Sequence, residues 1–317
     1  MTWLGEEGLI PRLRWLATGL VPAARATPPR RPAVIGHRGA ARHAPENTVA
    51  SFARSVELGA EGVEADVCAT ADGIFVLWHD ADPDDLVARV RQAGREGLLY
   101  SPEVPETGSP DRRKVAEQTL EQFLERHAYR RTGESPPGAP DSPPRAEVEI
   151  LERLFEWAAG EPRLRRIYLD VKLPPEQAGH AASLAAELSR GAASGAIPGR
   201  LAIRTISPQR EIYERLRDGL RSSAGADLAP IADFELSEAR KTARRIGARR
   251  VGLGLGRRIW RGFRAEAADL VAARDAGEFD EVFLWTINGR SRLAQAARIG
   301  PDALLTDEPE ILRGILG

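Results

Sequence analysis

Nine strand-like runs recur along this chain of 317 residues, at 33–37, 62–68, 74–79, 167–172, 201–206, 230–234, 250–255, 281–287 and 303–306. Helical periodicity occupies 47–58, 118–130, 147–159, 176–190, 208–218, 237–246, 265–276, 291–299 and 308–315, so that helices fall between most of the strands. Apolar strands alternating with amphipathic helices bury both faces of a sheet when the strands run parallel and the helices cover them. So many units over roughly 250 residues predict an α/β protein with a closed (β/α)₈ TIM barrel in one domain. An open doubly wound sheet is the runner-up. Nine runs are one too many for eight strands. Only Ala69-Thr70-Ala71-Asp72-Gly73 joins 62–68 to 74–79, whereas parallel neighbours need a crossover of a dozen or more residues. Asp-Gly between apolar runs is a hairpin signal. The run 74–79 therefore reads as an arm folded back on strand two. A two-residue turn would pair Ala71 with Ile74 and set His79 opposite Asp66.

Strand three is then 167–172, and a long insertion, 81–146, separates it from the arm. The stretch ESPPGAPDSPPRAE, 134–147, is dense in proline and without period, which predicts a flexible loop. Because the insertion leaves from the His79 arm, it is expected to sit over the barrel mouth. The barrel domain is expected over 33–317, preceded by an extension, 1–32. That extension has a weak apolar centre, Trp15 to Val21, but Glu6 and Glu7 stand where a signal peptide carries positive charge, and Arg12 and Arg14 crowd the centre. It reads as an N-terminal helix of a cytoplasmic protein, resting on the barrel or making peripheral contact with a membrane surface. No run approaches the roughly 18 apolar residues of a membrane span. A net charge of −1 gives no support for nucleic-acid binding. A single cysteine, Cys68, excludes a disulfide framework and a cysteine-based zinc site.

In such a barrel the chemistry lies at the C-terminal ends of the strands. Strand one delivers His37 and Arg38, strand two Glu64 and Asp66, and the arm His79 and Asp80. Strand three adds Asp170 and Lys172, strand seven Trp285, Thr286 and Asn288, and strand eight Thr306 and Asp307. Glu64 and Asp66 are two apart and share one face. Carboxylates crowded there are costly unless paired or metal-bound. A salt-bridge cluster with Arg38 and Lys172 would satisfy the pair alone. With Asp170 on the adjacent strand end, a divalent metal is favoured, and three oxygen donors suit Mg²⁺ or Ca²⁺. Two histidines flanking these carboxylates fit a general acid and base. Among 45 basic residues only Lys114, Lys172 and Lys241 are lysines, so Lys172 at a strand end marks a compact point charge. With Arg38 it describes a site for an anion, most naturally a phosphate.

The run HRGAARHAPENTVASFARSVELGAEGVEADVCATADGIFVLWHD, 37–80, resembles the signature region of the glycerophosphodiester phosphodiesterases. DVK (170–172), WTIN (285–288) and GPDALLTDEP (300–309) follow in the same order. The resemblance covers most of 33–317, apart from the insertion. It implies a metal-dependent (β/α)₈ phosphodiesterase that releases an alcohol and glycerol 3-phosphate from a small glycerophosphodiester. His37 and His79 would be its acid/base pair, Arg38 and Lys172 its phosphate contacts, and Glu64, Asp66 and Asp170 its metal ligands. Trp285 would line the pocket beside the glycerol. Glu46 and Asn47, in PENT, match positions near the site, with Asn47 also a candidate helix cap. Two departures stand out. The family usually carries Glu where this chain has Asp170, a position at which it is similar to lysophospholipase D and sphingomyelinase D enzymes. The usual Ser-Phe pair ending strand four is Thr205-Ile206 here. A lysophospholipase D-type activity on long-chain substrates, or a phosphate-binding barrel without activity, are the alternative readings. Which histidine is acid, and whether water or the glycerol 2-hydroxyl attacks, stay open at this level.

Overall fold

The computed structural model describes residues 30–132, 143–221, 226–234, 238–256 and 259–317. The expected N-terminal helix and most of the proline-rich stretch lie outside the described residues. In chain order the elements are β1 (Ala33–Gly36), α1 (Val49–Glu57), β2 (Gly62–Ala69), β3 (Phe75–Leu77), α2 (Leu86–Gln92), β4 (Tyr100–Glu103), α3 (Leu120–Arg126), β5 (Ala128–Arg131), β6 (Arg145–Glu147) and α4 (Leu151–Gly160). They continue with β7 (Arg166–Val171), α5 (Ala178–Ser194), β8 (Ala202–Ser207), α6 (Arg210–Gly219), β9 (Asp227–Phe234), α7 (Ala239–Arg245), β10 (Arg250–Gly254), α8 (Trp260–Asp275), β11 (Glu281–Trp285), α9 (Arg290–Ile299), β12 (Ala303–Thr306) and α10 (Pro309–Leu316).

The strands β1, β2 and β7 to β12 run parallel, and β1 closes the ring by pairing with both β12 and β2. This is the expected eight-stranded barrel. Outward residues such as Val63, Ala65, Val67, Ile167 and Leu169 pack with α4, α5 and α6 in one apolar layer. Inward residues Ala33, Ile35, Tyr168, Ile206, Ile231, Phe283, Ala303 and Leu305 fill the barrel. On β11 the period of two places Glu281, Phe283 and Trp285 on the inner side. Glu281 lies at the N-terminal floor, where it accepts hydrogen bonds from the Tyr168 hydroxyl at 2.7 Å and Arg204 Nε at 2.6 Å. Phe283 stacks on Tyr168 with ring centroids 4.8 Å apart, and Trp285 reaches the mouth.

The arm forms, but its register differs from the expected one. Val67 pairs with Leu77, Cys68 with Val76 and Ala69 with Phe75, so Trp78, not His79, stands opposite Asp66, donating its N–H to the Asp66 carbonyl at 3.1 Å. The turn is not the two-residue turn expected. Thr70 N–H bonds the Ile74 carbonyl at 3.0 Å, enclosing Ala71–Gly73, with Gly73 at φ 81°. A three-residue loop ending in a left-handed glycine is the next commonest hairpin turn. A one-residue shift exchanges faces: Trp78 turns away from the mouth and His79 follows it toward the cavity.

The insertion is a folded unit rather than a bare loop. The strands β4, β5 and β6 make a separate antiparallel sheet in that order. Residues 145–147, expected to be loop, pair with β5. Its core gathers Trp78, Tyr100, Phe123 and Tyr129 with Cys68 and Val76 of the hairpin. Trp78 sits edge-on to Phe123 at 5.7 Å and against Tyr129 at 5.0 Å. The chain enters and leaves this unit side by side: Leu77 N–H bonds the Glu149 carbonyl at 2.8 Å, and Val76 bridges to Ile150. Because Trp78 is 1 % exposed, Trp78→Ala is expected to cost about 3–5 kcal/mol, read as a lowered midpoint in urea unfolding.

Candidate functional site

The strand β1 ends at Gly36, where a Cβ would lie 2.0 Å from Ser55 Oγ. That close approach to α1 needs glycine. Arg38 then turns left-handed at φ 53°. Its backbone N–H donates to Glu64 Oε2 at 2.9 Å, and its buried guanidinium pairs with Glu46 at 2.9 Å and Asp66 at 3.0 Å. Asn47, also left-handed at φ 55°, is not the helix cap. Thr48 caps α1 by accepting from Ser51 N–H. Asn47 grips Asp66 instead: Nδ2 donates to Asp66 Oδ2 and Oδ1 accepts from Asp66 N–H, both at 3.0 Å.

The inner face of β2 presents Glu64 and Asp66, and the register sets Asp66 directly beside Asp170 of β7. One carboxylate oxygen from each of the three lies within 4.8 Å of the others. The shorter side chain at 170 still converges. Burial, then Asp66, pushes the Glu64 carboxyl up to about 8, against His37 and Arg38. Burial likewise raises Asp170, against Lys172. Asp66 is held well below its usual value, where His79, Arg38 and Lys172 overcome burial. Lys172 Nζ lies 2.5 Å from Asp170 Oδ2 and 3.3 Å from Asp66 Oδ1. Asp170 Oδ1 is buried and has no hydrogen-bond donor among the described residues. Three hard oxygen donors, one of them buried and unpaired, fit a divalent cation such as Mg²⁺ or Ca²⁺.

The two histidines are built alike and poised differently. His37 Nδ1 lies 2.6 Å from Asp307 Oδ1, and His79 Nδ1 lies 2.6 Å from Asp80 Oδ1. Both carboxylates titrate below their ordinary value despite burial, Asp307 through His37 and Asn288, Asp80 through His79 and Arg91. Each is therefore ionised and draws the Nδ1 proton, leaving Nε2 for the reaction. Burial and Arg38 push His37 down, but Asp307 and Glu64 outweigh them and its pKa is raised. For His79 burial leads, Arg38 follows, and the pKa falls to about 4.

His37, Arg38, Glu64, Asp66, His79 and Asp170 line one cavity of about 920 Å³ at the strand C-termini, together with Lys172, Trp285 and insertion residues including Val87, Lys114 and Glu117. Trp285 is aimed by Asp233, whose Oδ1 accepts from its Nε1 at 2.6 Å. Every expected site residue thus lies in one place. The partners were less visible. Asp80 and Asp307 stood out as strand-end residues, but nothing near them in sequence pairs them with Arg91 and His37. Asn288 donates to Asp307 Oδ2 and accepts from Asp307 N–H at 2.9 Å. No local signal marks Asp233 or Arg91. Among the described residues no helix is long and apolar enough to cross a membrane.

A family model, the glycerophosphoryl diester phosphodiesterase family, matches residues 37–210. A glycerophosphodiester phosphodiesterase of Caldanaerobacter subterraneus subsp. tengcongensis is 53 % identical over 51 residues, 16 % of this chain and 21 % of that protein. Bovine (Bos taurus) glycerophosphodiester phosphodiesterase 1 is 45 % identical over 76 residues, 23 % of each chain. The matched stretches thus span about a fifth of these relatives' length. Among solved structures, an Oleispira antarctica phosphodiesterase in complex with the product sn-glycerol-3-phosphate superposes with a TM-score of 0.62 at 17 % identity, covering 90 % of this chain and 96 % of that one. A glycerophosphodiester phosphodiesterase from Parabacteroides distasonis gives 0.61 at 18 %, covering 91 % and 98 %.

Proposed function

Because the chain belongs to the glycerophosphoryl diester phosphodiesterase family, we propose that it hydrolyses glycerophosphodiesters to an alcohol and glycerol 3-phosphate. The observation that carries this reading is the meeting of Glu64, Asp66 and Asp170 within 4.8 Å, in a cavity that also holds His37, His79, Arg38 and Lys172. The sn-glycerol-3-phosphate in the Oleispira antarctica neighbour supports the product class.

The three carboxylates would hold a divalent ion, which when bound supplies Lewis-acid stabilisation of charge on the phosphoryl oxygens. Arg38 and Lys172 fix the phosphate by charge, and Trp285 walls the glycerol side. With its pKa at about 4, His79 is neutral at pH 7 and takes the nucleophile's proton at Nε2. His37, whose pKa is raised, delivers a proton from Nε2 to the departing alkoxide. Asp80 and Asp307 keep both rings in the required tautomer and orientation.

This division of labour sets the pH profile. Removing the Asp307 charge removes what holds the His37 proton. Asp307→Asn should therefore move the alkaline limb of kcat/KM to lower pH, because it removes the charge-assisted hydrogen bond that raises His37. A pH–rate profile with an unmoved alkaline limb would remove His37 from the acid's role.

The function itself is tested by release of glycerol 3-phosphate from glycerophosphocholine, with Mg²⁺ or Ca²⁺, with and without chelator. Chelator-sensitive turnover is expected. No turnover with either metal would leave a binding barrel. Lysophosphatidylcholine belongs in the same panel. Leu86, Val87 and Val90 of α2 are exposed at 70 %, 55 % and 38 %, and Val87 lines the cavity. That apolar lip supports a long-chain substrate as the second reading.

A further inference from the structure

Resting on that phosphodiesterase reading, we propose that Arg91, supplied by the insertion, is a positioning residue for both the phosphate-binding arginine and the proton-carrying histidine. Arg91 belongs to α2, outside the barrel, yet is only 2 % exposed. Its guanidinium faces three carboxylates. Nη2 donates to Glu46 Oε1, Nε to Asp80 Oδ1 and Oδ2 at 3.0 and 3.1 Å, and Nη1 to Glu96 Oε2 at 2.6 Å.

Two of these carboxylates each hold a residue that lines the cavity. Glu46 Oε2 accepts from Arg38 Nη1 at 2.9 Å. Asp80 Oδ1 accepts from His79 Nδ1 at 2.6 Å. One cation thus reaches both halves of the site, His79 through Asp80 and Arg38 through Glu46, with Glu96 Oε2 a more distant 3.8 Å from Arg38 Nη1. Glu46 and Asp80 are 2 % and 5 % exposed, and a buried carboxylate without its cation is costly. Asp80 relieves that cost by turning away or taking a proton, which loosens its hold on His79, and Glu46, left with Arg38 alone, is free to swing and carry that guanidinium with it. The planar fork matters as much as the charge, because the donors point in fixed, diverging directions. An ammonium at this place cannot span Glu46 and Asp80 together.

The test uses Arg91→Lys, Asp80→Asn and Glu46→Gln in the full chain, with glycerophosphocholine as probe and divalent metal present. For Arg91→Lys we expect kcat to fall and KM to rise, each by about 10–100-fold, as for partners that orient a catalytic ligand. Asp80→Asn should reproduce the kcat loss alone and Glu46→Gln the KM rise alone. A residue that merely pins the insertion would lower the melting temperature and leave both constants of the folded protein in place. A folded Arg91→Lys with unchanged kcat and KM overturns the proposal. Should Arg91→Lys fail to fold, the other two carry the test: wild-type constants in both overturn it. A crystal structure of Arg91→Lys adds an arm independent of turnover. Displacement of the His79 ring from Asp80, or of Arg38 from Glu46, supports the proposal, and both in place count against it. An inactive wild-type protein would instead overturn the catalytic reading, so the two failures are distinguishable.

Discussion

His79→Ala should lower kcat by about 10²–10⁴-fold, the range for loss of a positioned general base, while the protein stays folded. The ring lies on the cavity wall with its side chain 18 % exposed, so kcat is compared on protein shown to be folded. Among the described residues its hydrogen-bonded side-chain neighbour is Asp80, which keeps Arg91 as a partner when the ring is gone. No buried charge is stranded, so a fall in melting temperature would report lost packing alone. The distinguishing feature is the acid limb. In the wild-type protein it belongs to a group near pH 4, because burial and Arg38 depress His79. In His79→Ala that limb should vanish and the residual rate become flat toward low pH. Steady-state kinetics between pH 4 and 8 check both points. A variant retaining wild-type kcat would end the assignment.

Chelated protein and protein in excess divalent metal should respond to pH in opposite directions. Glu64 carries a folded pKa of about 8 against a reference of 4.5. Above 4.5 the unfolded chain sheds this proton while the folded protein keeps it, so stability falls as pH rises toward 8. His37 acts in the same sense: its raised pKa gives stability that is present below its unfolded value and lost as pH rises. His79, with its pKa lowered, opposes them only below about 6.5, since above that pH it is neutral in both states. Asp66, depressed, contributes fully above its unfolded pKa and is flat throughout this window. The clear interval is pH 6.5 to 8, over which chelated protein should lose roughly 2 kcal/mol. A bound divalent ion needs Glu64 ionised, so loading displaces a proton and apparent affinity rises about tenfold per pH unit up to about 8. Thermal melts at pH 6.5 and 8, in chelator and in excess Mg²⁺ or Ca²⁺, decide the matter. Identical pH slopes in the two series would show that the carboxylates hold no ion.

Much of this site could be read from sequence because β-structure makes it periodic. Glu64 and Asp66 share a face by alternation alone, and the adjacency of Asp170 follows once the hairpin is removed from the strand count. The register of the hairpin could not be read so simply. It depends on Gly73 adopting a left-handed conformation at the end of a three-residue loop, with the Thr70 hydroxyl accepting from Ile74 N–H at 3.0 Å. The Asp72-Gly73 pair fits either turn. The insertion was obscured for a different reason. Its core draws single residues, Tyr100, Phe123 and Tyr129, from short segments with no common period, and takes Trp78 from the barrel's own arm. Arg91 is one arginine in a chain where arginine is the ordinary cation. Asp307 meets its histidine across 270 residues. Long-range ion pairs are set by topology, and local sequence carries no trace of them.

The neck at which the insertion joins the barrel has an evolutionary consequence. Its two ends are already hydrogen-bonded to one another, Leu77 to Glu149 and Val76 to Ile150. The entropy of closing whatever lies between grows only slowly with its length, so the neck acts as a graft point at which the chain can exchange one segment for another of different size. The graft inherits a debt, however. The barrel leaves Glu46 and Asp80 buried beneath it, and a newcomer that brings no cation to them would leave Asp80 with His79 alone and Glu46 with Arg38 alone. Innovation at this mouth is free in shape and constrained in charge.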